Sequence, residues 1–483
     1  MPLRPWTRDR TDVVPPKLED WAAPDHPVRF VAAFIEELTE AEWAALGIAP
    51  NGHPGGAPAY APRVLLGAWL YGFMTGIRSC RKLAIACDEH LPFLWLTGGQ
   101  RPDHNTLWRF YERHRGSMQV LFRRTVATAA HSGLVVWALQ AVDGTKIGGN
   151  AAKDRTFDAP ALAKLLEKVE AAIADLEAQN GSEGPPTPSR LPRDLAQAEQ
   201  LRARVRAALD QVNATDGPKR VNLTDPEAVF VKGRLGLVVG YNAQAAVSSV
   251  TLADAAHPRA RPARLVTGLS VVTAPDDHGQ LLPMLDQVAA TTGQAIATLV
   301  ADAGYHDHAT VAACATRGQR IVMPEAQQQA ITDNPFHQAH FAYDAQTDTY
   351  TCPQQKPLTF RSITSRKDRP VKRIYRNSGA VCCACPDFGR CTPDARQGRS
   401  LEVDLHHAEA RAHREWMASE EAKTLARKRK HLIEPVFGVI KQELGGRRFH
   451  LRGLTNVEAE WTLLVTAFNL RTCVRIWQQH HAA

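Results

Sequence analysis

The chain has 483 residues, 44 % of them apolar, enough for about two or three compact units and too much for a disordered polymer. It contains no run of about 18 or more apolar residues. Its opening MPLRPWTRDRTD lacks the apolar stretch of a secretory leader, so a cytoplasmic protein with no membrane span is expected. A net charge of +8 and a pI near 9.0 favour a polyanionic partner. Part of the excess is concentrated: residues 411–452 hold eleven Lys/Arg against five Glu and no Asp.

After a Pro-containing lead, the first periodic segment is the helix VRFVAAFIEEL, followed by a Gly/Pro loop at 51–62. From 63 to about 133 apolar residues recur at spacings of three and four, which predicts roughly four or five helices. One of them opens at Asp103–Asn105, where either Asp103 or Asn105 can serve as N-cap. The exposed faces of this all-α region, 1–133, are basic. DNA binding and a plain solvated bundle both fit.

The period then changes. LVVWALQAVD reads as a buried strand ending at Asp143, with Gly144–Thr145 turning the chain away. Two amphipathic helices, ALAKLLEKVEAAIADLEAQ and RDLAQAEQLRARVRAALDQV, are separated by NGSEGPPTPSRLP and predict a helical-hairpin insertion over about 155–222. Strand character returns in VFVKGRLGLVVGYNAQAAVSSV and ARLVTGLSVVTA. A helix, the strand ATLVAD ending at Asp302, another helix and the strand RIVMP follow. This order predicts a mixed α/β sheet with helices on its faces, built from 134–326 and 402–483. Residues 327–401 read as a loop-rich insertion, and the chain closes in two helical stretches.

Asp143 and Asp302 share a context: each ends an apolar strand before a Gly-containing turn, AVDGT and VADAGY. Carboxylates there project from the edge of the sheet where α/β sites form and can hold divalent cations, though a lone Asp in such a place is commonly a turn former. Tyr241, Asn242 and Gln244 fall near the same edge, while His278, His306 and His308 read as surface residues.

Nine cysteines are present. Cys80, Cys87, Cys314 and Cys473 lie singly in apolar helical patterns and read as buried hydrophobes. Cys352, Cys382, Cys383, Cys385 and Cys391 are crowded together. Cys352, Cys382, Cys385 and Cys391 would supply the four thiolates of a structural Zn²⁺ site, with Cys383 a spare or a substitute for Cys382.

Five ordered motifs, VDGTKI, TDPEA, GYNAQAAV, VADAGY and IEPVFGVIKQELGGRRFHLRG, together with LLGAWLYGFMTGIRS and GGQRPDH near the front, resemble the DDE transposases of bacterial insertion sequences over nearly the whole chain. The resemblance implies an RNase-H-like core and a metal-binding triad of Asp143, Asp302 and Glu434. It implies two Mg²⁺ ions (Mn²⁺ as a substitute), cleavage of double-stranded DNA at terminal inverted repeats, and joining to target DNA by a homodimer. Glu434 precedes Pro435, where a helix start or kink is expected. Lys441 lies seven residues on, about two helical turns, so the two share a face and Lys441 can grip a phosphate. Glu443, on another face, is the rival acid. The basic track of Arg427, Lys428, Arg429, Lys430, Arg447, Arg448 and Arg452 fits DNA backbone binding beside the triad. The family's Tyr and Arg before the glutamate are replaced here by Arg427 and Lys430, so no aromatic role carries over. Two other readings remain: a DNA-binding protein derived from a transposase without its chemistry, and an RNase-H-like nuclease that cuts without strand transfer.

Overall fold

The structure is a computed structural model that describes residues 17–50, 59–181, 191–233, 236–252, 262–294, 296–325, 334–365 and 371–481. The N-terminal lead, most of the Gly/Pro loop at 51–58 and the hairpin loop at 182–190 lie outside the described residues. Seven helices precede the sheet: α1 (Pro27–Glu36), α2 (Glu40–Ala45), α3 (Pro62–Met74), α4 (Cys80–Glu89), α5 (Leu91–Leu96), α6 (His104–His114) and α7 (Gln119–His131). Asp103 is the N-cap of α6, accepting from the amides of Asn105 (2.7 Å) and Thr106 (3.0 Å). α3 is buried along nearly its whole length, as its all-round apolar sequence requires.

The main sheet is built from β1 (Val135–Gly148), β4 (Val229–Gly233), β5 (Gly236–Val250), β6 (Ala263–Val272), β7 (Thr298–Val300) and β8 (Arg320–Val322). β1 pairs antiparallel with β5 and parallel with β7, and β7 is parallel to β8; β4 and β6 pair with successive stretches of β5. An antiparallel set running into two parallel strands is the RNase-H-like arrangement. α10 (Leu281–Thr292) and α11 (His308–Thr316) cover one face, burying Leu285, Val288 and Val311 against Val142 and Ala246.

Between β1 and β4 the chain departs into α8 (Ala159–Gly181) and α9 (Leu191–Asn213). β2 (Thr156–Phe157) and β3 (Val221–Asn222) pair at the base of this hairpin, which has its own small core of Leu162, Val205, Ala208 and Val221. Arg206 and Glu170 meet across it at 2.6 Å.

The region expected to be loop-rich is more ordered than its composition suggests. β9 (Ala342–Asp344), β10 (Thr349–Thr351), β11 (Pro357–Thr364), β12 (Lys372–Arg376) and β13 (Ser400–Asp404) form an antiparallel sheet, with a short α12 (Gly379–Cys383) beside it. Its core is mainly aromatic: Phe341, Tyr350 and Tyr375 are buried with Leu358, Leu401 and Val403. Few large side chains fill this core, which is why the segment's apolar content is low.

The chain returns through α13 (His407–Ala418), α14 (Glu420–Gln442) and α15 (Leu454–His481). Ile433, Val436 and Ile440 of α14 and Trp461, Leu464 and Phe468 of α15 join one apolar core with the second face of the sheet and with the N-terminal helices through Trp69, Phe122 and Val126. The all-α segment therefore shares its interior with the sheet.

Candidate active site

Asp143 does not end its strand. β1 runs on to Gly148, with Asp143 opposite Ala245 of β5. The edge lies on its other side, where the short β7 stops. Ala141 is the partner of Val300 in the parallel ladder, so Asp143 and Asp302 each stand two residues beyond that last pair, Asp143 still in β1 and Asp302 just past the end of β7. Each carboxylate accepts from the amide that follows it, Gly144 and Ala303, both at 2.8 Å.

Arg429 of α14 reaches both acids. Its guanidinium donates to Asp143 Oδ2 at 2.6 Å and stands 3.9 Å from Asp302 Oδ2. The Asp143 side chain is 16 % exposed and that of Asp302 53 %, so the pair has an inner and an outer member. Burial pushes the Asp143 carboxyl up to about 6; Arg429 pulls it down, and the negative charges of Asp302 and Asp277 push it up again.

Glu434 and Pro435 both lie within α14, which continues through them. Pro435 has no N–H for the carbonyl of His431, and that carbonyl instead accepts Nε (2.9 Å) and Nη2 (2.5 Å) of Arg264 from β6. An arginine from the sheet thus supplies the donors that the proline removes, and no break is needed. Glu434 is exposed and lines a cleft of about 790 Å³ together with Asp302, Arg427, Arg429, Lys430 and His431. Glu443 faces elsewhere, 2.8 Å from Arg471 of α15 and in the wall of a separate cavity. Among the described residues no three His, Cys, Asp or Glu side chains form a metal-holding group. Asp302 and Glu434 line this cleft, and Asp143 is tied to its wall through Arg429.

The basic residues divide into two groups. Arg427, Lys428, Lys430 and Arg447 are exposed. Beside Arg429 on the two aspartates, three hold protein backbone: Lys441 donates to Lys146 O (3.1 Å), and Arg448 and Arg452, themselves exposed, to Gly149 O (2.9 Å) and Asn150 O (3.0 Å). These contacts bind the end of α14 and the segment after it to the end of β1 and the residues just beyond.

Sequence reasoning missed Asp277, in the turn after β6. Its Oδ1 accepts from Lys146 Nζ (3.1 Å), Asn242 Nδ2 (2.7 Å) and Gln244 Nε2 (2.7 Å). Tyr305, fully buried three residues after Asp302, donates to Gln244 Oε1. The polar signal of Asn242 and Gln244 was visible, but their partner sits in an ordinary-looking PDDHG turn. His306 and His308, expected at the surface, are partly buried, with His308 facing Glu325 (3.9 Å) and Asp404 (3.8 Å).

Residues 351–474 match the family described as the Transposase DDE domain, and residues 16–113 match a transposase domain family, DUF772. Both matches support an insertion-sequence DDE transposase. No curated protein matches it. The DDE-domain match includes Glu434, the basic track and four of the clustered cysteines beside Cys352, while Asp143 and Asp302 lie outside both matched spans. The transposase acts on DNA, and enzymes of its class work with divalent metal. Among its described residues no helix is long and apolar enough to cross a membrane.

In the transposase's second sheet, Cys352, Cys382, Cys385 and Cys391 line one narrow cavity. Burial raises the Cys391 thiol, and the other three add to the rise. Two backbone amides already point at sulfur, Lys356 N to Cys352 (3.3 Å) and Arg399 N to Cys382 (3.2 Å). Cys383 is exposed and turns toward Ala395 O.

Proposed function

We propose that Asp143, Asp302 and Glu434 hold two divalent ions, Mg²⁺ or Mn²⁺, and that the transposase uses them to cut element ends at terminal inverted repeats and join them to target DNA. The observation that carries this reading is Arg429: a side-chain cation already stands between the carboxylates of Asp143, on β1, and Asp302, just past the end of β7, so this donor set suits a hard positive ion. Divalent ions bound there would activate water, then a 3′-hydroxyl, and neutralise the leaving oxygen. Arg429 balances the acids in their absence and is free to turn to a phosphate when the charge is met otherwise. Arg427, Lys428, Lys430 and Arg447 steer the strand into the cleft; Lys441, Arg448 and Arg452 contribute their charge to the same surface while fixing the β1 exit. Glu434 is preferred to Glu443 because it lines the cleft with Asp302.

In this reading residues 1–133 form a DNA-binding helical domain, 134–326 and 402–483 the catalytic domain, and 327–401 an insertion. A homodimer brings two ends together on DNA in the cytoplasm. The deciding assay mixes the purified protein, Mg²⁺, labelled DNA carrying the element's ends, and a supercoiled target plasmid. Cleavage with labelled ends joined to plasmid is expected. Cleavage without joining would make the protein a plain nuclease, and binding without cleavage a DNA-binding derivative.

The cysteine cavity is proposed as a structural zinc site closed by Cys352, Cys382, Cys385 and Cys391, with no open position for chemistry. Protein purified without chelator is expected to carry about one zinc per chain by elemental analysis, since thiolate binding of this kind couples to folding. Cys385→Ser and Cys391→Ser should lose it and loosen the second sheet, whereas Cys383→Ser should keep it. A zinc-free wild-type protein with an intact second sheet would rule the site out.

A further inference from the structure

The most enclosed acid near the triad is one that the proposed reaction does not use. The Asp277 side chain is 17 % exposed, and its donors come from β1, which carries Asp143, and from β5 beside it. Lys146 comes from β1, Asn242 and Gln244 from β5, and all three donate to one oxygen, Oδ1. Asn242 also donates to Asp276 O at 2.9 Å, holding the backbone of the same turn. Gln244 passes the connection on, because its own Oε1 accepts the hydroxyl of Tyr305 beyond Asp302.

Close packing adds to the hydrogen bonds. A Cβ at Gly144, the residue after Asp143, would overlap Asp277 Oδ1 and Gln244 Nε2. A Cβ at Gly304, two residues after Asp302, would stand 3.4 Å from Asp277 Oδ2. One carboxylate thus lies between β1 at Gly144 and the turn after Asp302, one oxygen toward each. A side chain at Gly144 would have to push this group and its amide partners aside.

We propose that Asp277 is a positioning residue for the metal site: it sets the separation of Asp143 and Asp302 from behind, with Lys146 as its counter-ion. The inference rests on the reading of Asp143 and Asp302 as metal ligands. Ligand carboxylates must be held to within about 0.5 Å to share ions productively, and groups bonded behind them commonly change affinity by about 10–100-fold when removed. Burying a carboxylate costs free energy that a merely structural turn would avoid with Asn or Ser. Here that cost is offset by Lys146 and two amides, and the product is a fixed distance between Asp143 on β1 and the turn that follows Asp302.

The test is Mn²⁺ binding by the intact protein, followed by electron paramagnetic resonance, alongside end-DNA affinity and the melting temperature. Asp277→Ala is expected to raise the Mn²⁺ concentration for half-occupancy by about tenfold or more, with end-DNA affinity within about twofold of wild type. Asp277→Asn keeps the shape and the acceptor oxygen but loses the charge, so an intermediate rise is expected. It decides the matter if the alanine variant does not fold. Wild-type Mn²⁺ affinity in a folded Asp277→Asn or Asp277→Ala overturns the positioning role, and so does a loss of metal and DNA binding in equal proportion. Asp143→Asn is run beside them: if it binds Mn²⁺ as wild type does, the metal-site reading itself fails, whatever Asp277 does.

Discussion

Asp143→Asn is expected to lower end cleavage by roughly 10³-fold or more while leaving end-DNA binding within a small factor of wild type. The amide preserves size and one acceptor oxygen, so Arg429 keeps a partner, but the negative charge needed for a divalent ion is gone. The variant should remain folded, and the sign follows from burial. The folded Asp143 carboxyl is held at about 6, above its ordinary 3.8, chiefly by burial. A raised carboxyl favours the protonated native state. Its stabilising contribution is fully present below about 3.8, lost as pH rises toward about 6, and absent at neutral pH. Removing the charge therefore takes away a buried carboxylate that the neutral-pH fold holds at a cost. The same value sets an acid limb in the wild-type enzyme. Below about pH 6 protons should compete with the divalent ion at Asp143, so at a fixed, subsaturating Mg²⁺ concentration the cleavage rate should fall as the pH is lowered. Arg429→Met removes the charge that lowers this carboxyl, so its acid limb should move to higher pH. A flat profile between pH 5 and about 7 would refute the role given to Asp143. Full cleavage by Asp143→Asn would remove it from the triad.

The sequence carried the architecture because the sheet strands are long and apolar and the helices strongly periodic. Asp143 and Asp302 were legible as acids following apolar runs. What no local pattern could supply is the parallel pairing of Ala141 with Val300, which sets the two side by side. The strand was expected to stop at Asp143, but β5 continues to pair with β1 as far as Gly148, so the glycine at 144 serves close packing instead of a turn. Pro435 misled for a similar reason. Its neighbours in the sequence predict a kink or start, and the remedy, Arg264, lies 167 residues before His431, whose carbonyl it takes. Basic residues were read as a phosphate-binding track because charge is visible and carbonyl partners are not. Lys441, Arg448 and Arg452 each hold a carbonyl at the end of β1 or just after it. Asp277 was invisible for the same reason: its three donors come from two strands more than thirty residues away.

Glu460→Ala and Arg78→Met are each expected to destabilise the folded protein by about 3–5 kcal/mol. Both side chains are 2 % exposed and form an ion pair, Arg78 from the segment before α4 and Glu460 from α15. Neither charge is left with the other alone. Arg78 also donates to the carbonyls of Gly445 and Arg448, and Glu460 accepts the amides of His450 (3.0 Å) and Leu451 (3.0 Å). The pair therefore clamps residues 445–451, the stretch that leaves α14 and returns along β1. Removing one partner strands a buried charge together with the backbone groups it satisfied. Removing both strands only the backbone groups, so the double variant should lose clearly less than the sum of the singles. Urea unfolding of the four proteins measures this, and single variants within about 1 kcal/mol of wild type would show that water replaces the clamp. The pair also joins the two segments matched to different transposase families, residues 16–113 and 351–474. With the clamp and the shared core intact, the N-terminal helices and the catalytic body should unfold in one transition. In Glu460→Ala the helices should come away first, as earlier proteolysis within α4–α6 and weaker protection of that region in hydrogen exchange.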